Sequence, residues 1–425
     1  MPDAIAYAID FGTSNTLIAA VQRDRTEVLP IATGALDPTI MRSIIYTPEL
    51  GEWFFGSDAI SEYSSRFAEG RLLRSIKKYL PDPQFTHTSI HSKNYSLIDL
   101  ISFFLKEIRL RANAIVGSDV TKVVLGRPAA FALDERLDQL AQNRLQAAAQ
   151  MAGFEDIHFL PEPIAAAYEF RQKVFTPKIV LVADFGGGTS DFTVLKMSNQ
   201  TFSSKDILAI NGISIAGDRF DGSMMLHNIS PHFGSKITYK LPLGKNILHL
   251  PHNILNKMCS APDISFFNRS DIRTLLEHAK RWALSPAEQK NIERLFLLAE
   301  ENLGYRLFET IEKTKIALSD QPQATFAFNY PGLDVEETIT STAFTAASTD
   351  IVNQIMATVD ACVASAQIRH SDVDLVCLTG GTAKVPAIRD GLIQRFGNET
   401  IQTQSQFHSI INGLALKAKE VFYSA

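Results

Sequence analysis

The sequence predicts an α/β protein built from two duplicated lobes, and two observations support that fold class. Residues 6–21 read AYAIDFGTSNTLIAAV and residues 180–195 read VLVADFGGGTSDFTVL, so that Asp10 aligns with Asp184 without gaps at an offset of 184 − 10 = 174 residues. Each copy reads as an apolar strand, an aspartate, a turn of glycine and small hydroxyl residues, and a second apolar strand. Between the copies, short apolar strands alternate with amphipathic helices, which is typical of a sheet flanked by helices.

The individual elements follow from local patterns. Apolar residues at helical spacing predict helices, with Gly153 as a helix end and Pro163 as a first helical residue. Strands are predicted at 121–125, 157–160 and 373–378, and helices at 97–115, 134–152, 162–170, 271–284, 286–319, 386–396 and 408–422. Four prolines between residues 231 and 262 interrupt this periodicity, so residues 228–270 are expected to be irregular.

The length requires more than one domain, because 425 residues exceed the roughly 250 to 300 that one hydrophobic core supports. We expect one lobe at 1–183, with an inserted subdomain at about 36–112 and a closing helix at 400–425 that packs back on it. The other lobe is expected at 184–399, with an inserted subdomain at about 228–304.

Composition excludes several classes of protein. With 45% hydrophobic residues and a net charge of −5, the chain is expected to fold throughout. The mild acidity argues against a surface that neutralises a nucleic-acid backbone, and no apolar run approaches the about 18 residues of a membrane span. We therefore expect a cytoplasmic protein with neither a nucleic-acid nor a membrane partner. Three cysteines without CxxC spacing predict neither a disulfide framework nor a zinc site.

Two glycine turns carry the features of a phosphate site. In DFGTSNT, Gly12 lets the backbone approach a ligand, the next two residues offer hydroxyls, and Asp10 can hold a hydrated cation. An ordinary β-turn explains those residues equally well. In DFGGGTSD, three consecutive glycines and the carboxylates of Asp184 and Asp191 indicate a ligand more strongly, since Mg²⁺ bound to phosphates prefers oxygen partners. Neither a GxxxxGK[ST] loop nor a GxGxxG fingerprint occurs.

Two weaker signals have ordinary explanations of equal or greater weight. The turn at 379–382 reads TGGT between a buried strand and a helix, which suits a ligand site but also a plain connection. Glu312, Lys315 and Ser319 share one helix face and can contact a sugar or a base, or they form a solvated stripe with a Glu–Lys pair.

Taken together, these segments resemble a known family. The two hairpins, PEPIAAAYE at 161–169 and LTGGTAKVP at 378–386 are similar to the nucleotide-binding domain of the seventy-kilodalton heat-shock chaperones, the DnaK family. That family belongs to the actin, hexokinase and chaperone ATPase superfamily. The resemblance runs from about residue 4 to residue 422 and implies two actin-like (ribonuclease H-like) lobes with a nucleotide cleft between them.

The resemblance implies ATP or ADP as the ligand and Mg²⁺ as the cofactor, with K⁺ as a second candidate ion. The phosphate loops that it implies contain Asp10, Gly12, Thr13, Ser14 and Asn15, and then Asp184, Gly186, Gly187, Gly188, Thr189 and Asp191. The residues that it places around the ribose and the adenine are Gly217, Asp218, Glu312, Lys315, Ile316, Ser319, Gly380, Gly381, Thr382 and Lys384. The implied metal site consists of Asp10, Asp184 and Asp191.

The implied chemistry is hydrolysis of the ATP γ-phosphate by a weak ATPase. By resemblance, Lys77 reaches the γ-phosphate, while Glu162, Asp184 and Thr189 orient water. Pro128 stands where the family has a proline that couples nucleotide state to a distant domain.

Three positions depart from the family pattern. Ile316 stands in place of an arginine that stacks on adenine, Lys384 in place of another arginine, and Phe407 in place of an aspartate. No linker or β-sandwich substrate domain follows the last predicted helix, so binding of unfolded peptides is not implied. We expect a short chaperone-like ATPase of the YegD type.

Four hypotheses remain open from the sequence. The first is a slowly hydrolysing ATP switch that acts on an unidentified protein partner or co-chaperone. The others are a small-molecule kinase of the same superfamily, an ATP-dependent filament protein, and a pseudo-ATPase that binds nucleotide only as a structural element.

Overall fold

The structure of the chain, a computed structural model, describes residues 6–35, 37–66, 70–132, 134–171, 176–198, 204–242, 244–403 and 408–423. It is an α/β protein with mixed sheets, as the sequence predicts. Phe407, one of the departures named above, lies outside the described residues. Within the described ranges, every helix is too short or too polar to cross a lipid bilayer.

The strands of the described residues are mostly short and buried. They are β1 (Ala6–Phe11), β2 (Asn15–Val21), β3 (Thr26–Val28), β4 (Met41–Arg42), β5 (Ile44–Thr47), β6 (Phe54–Phe55), β7 (Arg71–Arg74), β8 (His87–Ile90), β9 (Lys93–Ser96), β10 (Lys122–Arg127), β11 (Asp156–Pro161), β12 (Lys178–Phe185), β13 (Ser190–Met197), β14 (Ile207–Ile213), β15 (Gln323–Tyr330), β16 (Leu333–Thr340), β17 (Leu375–Thr379) and β18 (Ile401–Thr403).

The α-helices alternate with these strands. They are α1 (Gly56–Ser65), α2 (Leu97–Val116), α3 (Glu135–Met151), α4 (Glu162–Arg171), α5 (Gly217–Met224), α6 (His252–Met258), α7 (Ser270–Arg281), α8 (Pro286–Glu300), α9 (Gly304–Asp320), α10 (Ser341–Ala347), α11 (Thr349–Ser365), α12 (Pro386–Phe396) and α13 (Ser409–Tyr423).

The chain divides into two compact units. The first comprises Met1–Ser214, Met356–Ala383 and Leu392–Ala425, and the second comprises Ile215–Ile355 and Lys384–Gly391. The predicted lobes at 1–183 and 184–399 have different bounds, and they stay a prediction.

The duplication predicted from the hairpins is confirmed within the first unit. One sheet has the strand order β11-β10-β1-β2-β3, with β4 beside β2, and the other has the corresponding order β18-β17-β12-β13-β14. In each sheet the central strand, β1 or β12, pairs antiparallel with its hairpin partner and parallel with β10 or β17. Phe11 pairs with Thr16, and Phe185 pairs with Ser190, so the 174-residue offset also holds for the strand register.

The first sheet is covered on both faces, because successive residues of a strand point to opposite sides. Tyr7 and Ile9 of β1 belong to a core with residues of α2 and α3, whereas Ala8 belongs to a core with residues of α4 and α13. Gly413 of α13 lies so close to the backbone of Ala165 in α4 that a side chain would not fit there. This packing fixes α4, and with it the Glu162 at its first position.

Local signals explain where most helices begin and end. Ser96 and Asp99 form a capping box at the start of α2, and Gly117, with a φ of 79°, ends it. The prediction of one continuous helix at 286–319 was wrong, because the structure has two helices there, α8 and α9. Asn302, with a φ of 50°, adopts the left-handed conformation between them. The hairpin of β15 and β16 was not predicted.

Candidate functional site

The first glycine turn is a tight hairpin at the end of β1. The amide of Gly12 donates a hydrogen bond to the carbonyl oxygen of Asn15 at 3.0 Å, and a Cβ atom at Gly12 would overlap that oxygen. Ser43, from another segment of the chain, stabilises the turn by two hydrogen bonds. Its Oγ donates to the carbonyl oxygen of Gly12 at 2.7 Å, and its amide donates to that of Ser14 at 2.9 Å. Sequence reasoning missed Ser43, because a single serine in a loop has no distinguishing pattern. Thr13 is only partly buried.

The second glycine turn repeats this geometry. The amide of Gly186 donates to the carbonyl oxygen of Thr189 at 2.9 Å, and Thr189 Oγ1 donates to Asp191 Oδ2 at 2.9 Å. Gly212 of β14 pairs with Asp191, and a Cβ atom there would lie 2.6 Å from Asp191 Oδ1. A Cβ atom at Gly188, by contrast, would meet no atom within 4 Å. A side chain at 212 would therefore displace the Asp191 carboxylate, whereas the space beside Gly188 is open.

The third glycine turn lies against the second. Parallel pairing of β12 and β17 places Thr379 beside Asp184, and Thr379 Oγ1 donates to Asp184 Oδ1 at 2.6 Å. Gly380 has a φ of 80°, and a Cβ atom there would overlap the backbone at the end of β12. Thr382 Oγ1 donates to the carbonyl oxygen of Gly186 at 3.1 Å. The structure thus joins this part of the predicted adenosine pocket to the second phosphate turn.

The two residues predicted to act on the γ-phosphate bind each other. Lys77 lies in a short 3₁₀ turn, Ile76–Tyr79, and Glu162 is the first residue of α4. Lys77 Nζ lies 2.7 Å from Glu162 Oε1, and both side chains are buried. The residue before the turn, Ser75, has a φ of 53°, which is unusual for a residue other than glycine. The lysine is therefore held in place by its carboxylate partner and by a constrained backbone.

The three aspartates of the predicted metal site share this electrostatic environment. Burial, and after it the Glu162 carboxylate, raise the pKa of Asp184 to about 7, against the hydrogen bond from Thr379. Burial also raises the pKa of Asp191 to about 6, against the hydrogen bond from Thr189. The pKa of Asp10 is well above its ordinary range, because the group is buried and faces Glu162 and Asp184. Lys77 opposes all three shifts.

These carboxylates do not form a ready-made metal cage. Among the described residues, no three carboxylate, imidazole or thiol groups lie close enough to hold a metal ion directly. Glu162, Asp184, Asp191 and Pro128 instead line a cavity of about 20 Å³, which is large enough for about one water molecule. The carboxylate oxygens around the cavity can accept hydrogen bonds from water.

Arg144 of α3 supports the segment that follows Lys77. Its guanidinium group donates to the carbonyl oxygens of Leu80 at 2.9 Å, Asp82 at 2.8 Å and Phe85 at 3.2 Å. Sequence reasoning placed a helix at 134–152 but assigned Arg144 no role, because its acceptors are backbone atoms far away along the chain.

The predicted ribose and adenine residues of the second unit form a separate cluster. Lys315 Nζ pairs with Asp221 Oδ1 at 2.7 Å and donates to the carbonyl oxygen of Gly217 at 3.4 Å. Both charged side chains are buried, and burial raises the pKa of Asp221 to about 6 against the attraction of Lys315. Lys315 therefore does not belong to a solvent-exposed polar stripe, which was the alternative left open by the sequence. Sequence reasoning missed Asp221, although it lies close in sequence to the predicted Asp218.

The remaining predicted residues of this unit are less enclosed. Ile316 is 52% exposed. Ser319 Oγ donates to the carbonyl oxygen of Lys315 at 3.4 Å, and Glu312 is partly buried on the same helix face. Asp218 and Lys384 are exposed.

Comparison with known proteins agrees with the resemblance drawn from the hairpins. A family model described as Hsp70 protein matches residues 72–249 and 286–422. The chaperone protein HscA homolog of Burkholderia lata is 23% identical over 434 aligned residues, which cover 97% of this chain and 58% of that protein. The chaperone protein DnaK of Thermosipho melanesiensis is 24% identical over 420 residues, which cover 96% of this chain and 58% of that protein. The chain thus spans 58% of the length of these curated relatives. Because the family model matches well over half of its residues, the chain belongs to the Hsp70 family.

Proposed function

We propose that this chain binds ATP with Mg²⁺ and hydrolyses the γ-phosphate slowly, as a conformational switch that alters its affinity for a protein partner. The observation that supports this most directly is the repeated hairpin, in which Gly12 and Gly186 make the same tight turn. Both turns lie in the unit that contains the buried Lys77–Glu162 pair. The relatives named as chaperones support the same class of function.

The residues present fit a phosphate chain with a hydrated cation. The open space beside Gly188 admits a ligand close to the backbone, where successive amides can bind phosphate oxygens. Asp10, Asp184 and Asp191 supply the oxygen atoms that Mg²⁺ prefers, mostly through water. When bound, Mg²⁺ would neutralise charge on the phosphates and on the leaving group. K⁺ is a second candidate ion, since it could also offset the negative charge of the aspartates and the phosphates.

In this proposal, the ion pair at 2.7 Å separates when nucleotide binds. Lys77 then donates to the γ-phosphate, and Glu162 becomes free to accept a hydrogen bond from the attacking water. Thr189 and Asp184 orient that water from the second turn. Pro128 lines the same cavity as Glu162, so a shift of the carboxylate can reach the loop that follows β10.

We assign binding of the base and the ribose to the predicted residues of α5 and α9. Lys315, held by Asp221, presents a fixed positive group, and Gly217 and Asp218 begin α5 beside it. Ile316 offers an exposed apolar contact in place of the stacking arginine of the family. This assignment predicts weaker binding of the adenine ring than a stacked arginine would provide.

Calorimetric titration with ATP and with ADP, each with Mg²⁺, tests binding. We expect saturable binding that Gly187→Asp abolishes, because a carboxylate in the second turn would repel phosphate. A flat titration with both nucleotides would refute the proposal.

Phosphate release tests turnover. Lys77→Ala should abolish it, whereas Lys106→Ala, at an exposed lysine of α2, should leave it unchanged. If Lys77→Ala hydrolyses ATP as fast as the parent chain, the role given to Lys77 is wrong even though the nucleotide binds.

The buried ion pair also favours a second candidate, nucleotide binding without turnover. Lys77 and Glu162 already satisfy each other, so both charges must leave a stable contact before either can act on ATP. Saturable binding with no phosphate release above the rate of the Lys77→Ala variant would decide for this second function.

A further inference from the structure

An exposed apolar surface lies in the second unit, next to a segment outside the family match. The Hsp70 model matches the chain up to residue 249 and resumes at residue 286. Residues 250–285 therefore lie outside the matched ranges, and they include α6 and α7. The surface is formed by residues at the two ends of this segment.

Three short segments form a small antiparallel ribbon at that point. Tyr239 is bridged on one side to Leu248 and on the other to Ala283. The amide of Lys240 donates to the carbonyl oxygen of Trp282 at 3.0 Å, and the neighbouring contacts between these segments continue the ladder. We call the segments 238–240, 247–249 and 282–284 the Trp282 ribbon.

The register of the Trp282 ribbon decides which side chains share a face. Directly paired residues point to the same side, and their neighbours point to the opposite side. Tyr239 is buried, so its flanking positions face outward. The outward face has one row formed by Ile247, Lys240 and Trp282 and a second row formed by His249, Thr238 and Leu284.

The apolar members of this face are unusually open to solvent. Ile247 is 56% exposed, Trp282 is 39% exposed and Leu284 is 53% exposed. Single exposed apolar residues are common, but here three large ones share one ribbon face and form an apolar patch interrupted by Lys240. Tryptophan is also enriched among the residues that contribute most to protein interfaces.

The surroundings of the patch are cationic, although the whole chain has a net charge of −5. Residues 238–249 and 278–284 contain Lys240, Lys245, Lys280 and Arg281 and no aspartate or glutamate. Two carboxylates lie nearby on α8. Glu288 accepts hydrogen bonds from the amide and the hydroxyl of Thr238, and Glu293 pairs with Lys280 at 2.7 Å. Lys240, Lys245 and Arg281 are exposed around the apolar side chains.

We propose that the outward face of the Trp282 ribbon is the docking site for an acidic segment of a partner protein that carries large apolar side chains. Glutamate or aspartate side chains of that segment pair with Lys240, Lys245 and Arg281, and its apolar side chains cover Trp282 and Leu284. A nucleic acid would gain few phosphate contacts here and would leave the apolar side chains uncovered.

The fluorescence of Trp282 tests the proposal in the full 425-residue chain. The chain contains two tryptophans, so Trp53→Phe makes Trp282 the single reporter. The probe is a synthetic peptide of alternating glutamate and leucine. We expect a saturable blue shift of Trp282 emission that weakens as salt is raised, because the pairs at the rim are screened. A lysine–leucine peptide and polyglutamate, each lacking half of the required chemistry, should bind at least about tenfold more weakly.

Variants locate the binding on the ribbon. Lys240→Glu and Leu284→Asp should each weaken the peptide about tenfold, since one reverses a rim charge and the other places a charge in the apolar patch. Lys106→Glu, at an exposed lysine of the first unit, is the matched control and should bind like the parent. Circular dichroism of each variant shows whether it is folded.

Several results would overturn the proposal. These are the absence of a saturable response to the peptide, equal binding by the parent and by folded Lys240→Glu and Leu284→Asp, and a tighter response to phosphatidylserine vesicles or to polyuridylate RNA. A blue shift that grows with protein concentration without peptide would instead assign this face to a second copy of the chain.

Discussion

Replacing Asp184 by asparagine is expected to stabilise the first unit while it weakens binding of ATP with Mg²⁺. The carboxylate is destabilising in the free chain, because it is buried and faces Glu162 and Asp191. An asparagine of the same shape is uncharged, and its oxygen can still accept the hydrogen bond that Thr379 Oγ1 donates at 2.6 Å. The substitution therefore removes the repulsion and keeps the packing.

The magnitude follows from the pKa of Asp184, which is raised from 3.8 to about 7. A difference of about 3 units corresponds to about 4 kcal/mol, at about 1.4 kcal/mol per unit. Asp184 is partly accessible to solvent, so screening reduces this value, and we expect a gain of about 2 kcal/mol at pH 8.

The gain depends on pH in a defined direction. The pKa of Asp184 is higher in the folded chain than in the unfolded chain, so the folded chain binds the proton more tightly. Below pH of about 4 both states are protonated and the carboxylate carries no penalty. The penalty grows as the pH rises and is complete above about 7, where the folded group also ionises. Asp184→Asn should therefore gain stability at pH 8 and almost none at pH 4.

Urea unfolding followed by tryptophan fluorescence measures this effect. Trp282→Phe leaves Trp53, which lies in the first unit, as the reporter in every variant. Asp24→Asn, at an exposed aspartate of the same unit, is the matched control and should change stability at neither pH. Equal stability of Asp184→Asn and its parent at pH 8, or an equal gain at pH 8 and pH 4, would contradict this prediction.

Three further predictions concern contacts that lie within one unit or the other. Arg144→Ala should lower the rate of ATP hydrolysis about tenfold with little change in nucleotide affinity, because the backbone carbonyls after Lys77 lose their hydrogen-bond donor. Arg144→Lys should recover part of that rate, and single-turnover assays measure both variants. Lys315→Ala should destabilise the second unit by about 3 kcal/mol, because Asp221 stays buried without its partner, and adding Asp221→Asn should restore most of the loss in urea unfolding. Gly380→Ala should destabilise the first unit by about 2 kcal/mol in the same assay, because its φ of 80° and the adjacent backbone both exclude a side chain.

The parts of the fold that sequence predicted well are those with local signals. The hairpin at each aspartate was predicted because glycine, hydroxyl residues and two apolar runs lie together within 16 residues. The pair of β15 and β16 was missed although its signal was present. Apolar residues recur at every second position from Ala324 to Tyr330, and a glycine follows at position 332. The break at Asn302 had no such signal, because asparagine is only occasionally left-handed.

The parts of the site that sequence missed depend on contacts between distant segments. Ser43 supports the first turn through a backbone carbonyl, and Arg144 supports the Lys77 segment in the same way. Backbone acceptors carry no residue identity, so no pattern in the sequence indicates such pairs. Gly212 and Asp221 were missed for a related reason, since each is explained only by the side chain that it faces.

The two hairpins share one backbone geometry but differ in chemistry, and a single pair of positions accounts for much of the difference. Asp10 pairs with Leu17 across the first hairpin, and Asp184 pairs with Asp191 across the second. Leu17 is buried among residues of the core that includes α13, where its side chain stabilises the fold by about 2 kcal/mol. Asp191 occupies the equivalent position with a pKa raised to about 6 by burial, so at neutral pH it destabilises the free chain. Gly212 enlarges this loss, because a glycine in a strand gains no packing, and a side chain in its place would displace the carboxylate. The second hairpin therefore exchanges stability for negative charge beside the open space at Gly188, and a bound cation would offset that charge.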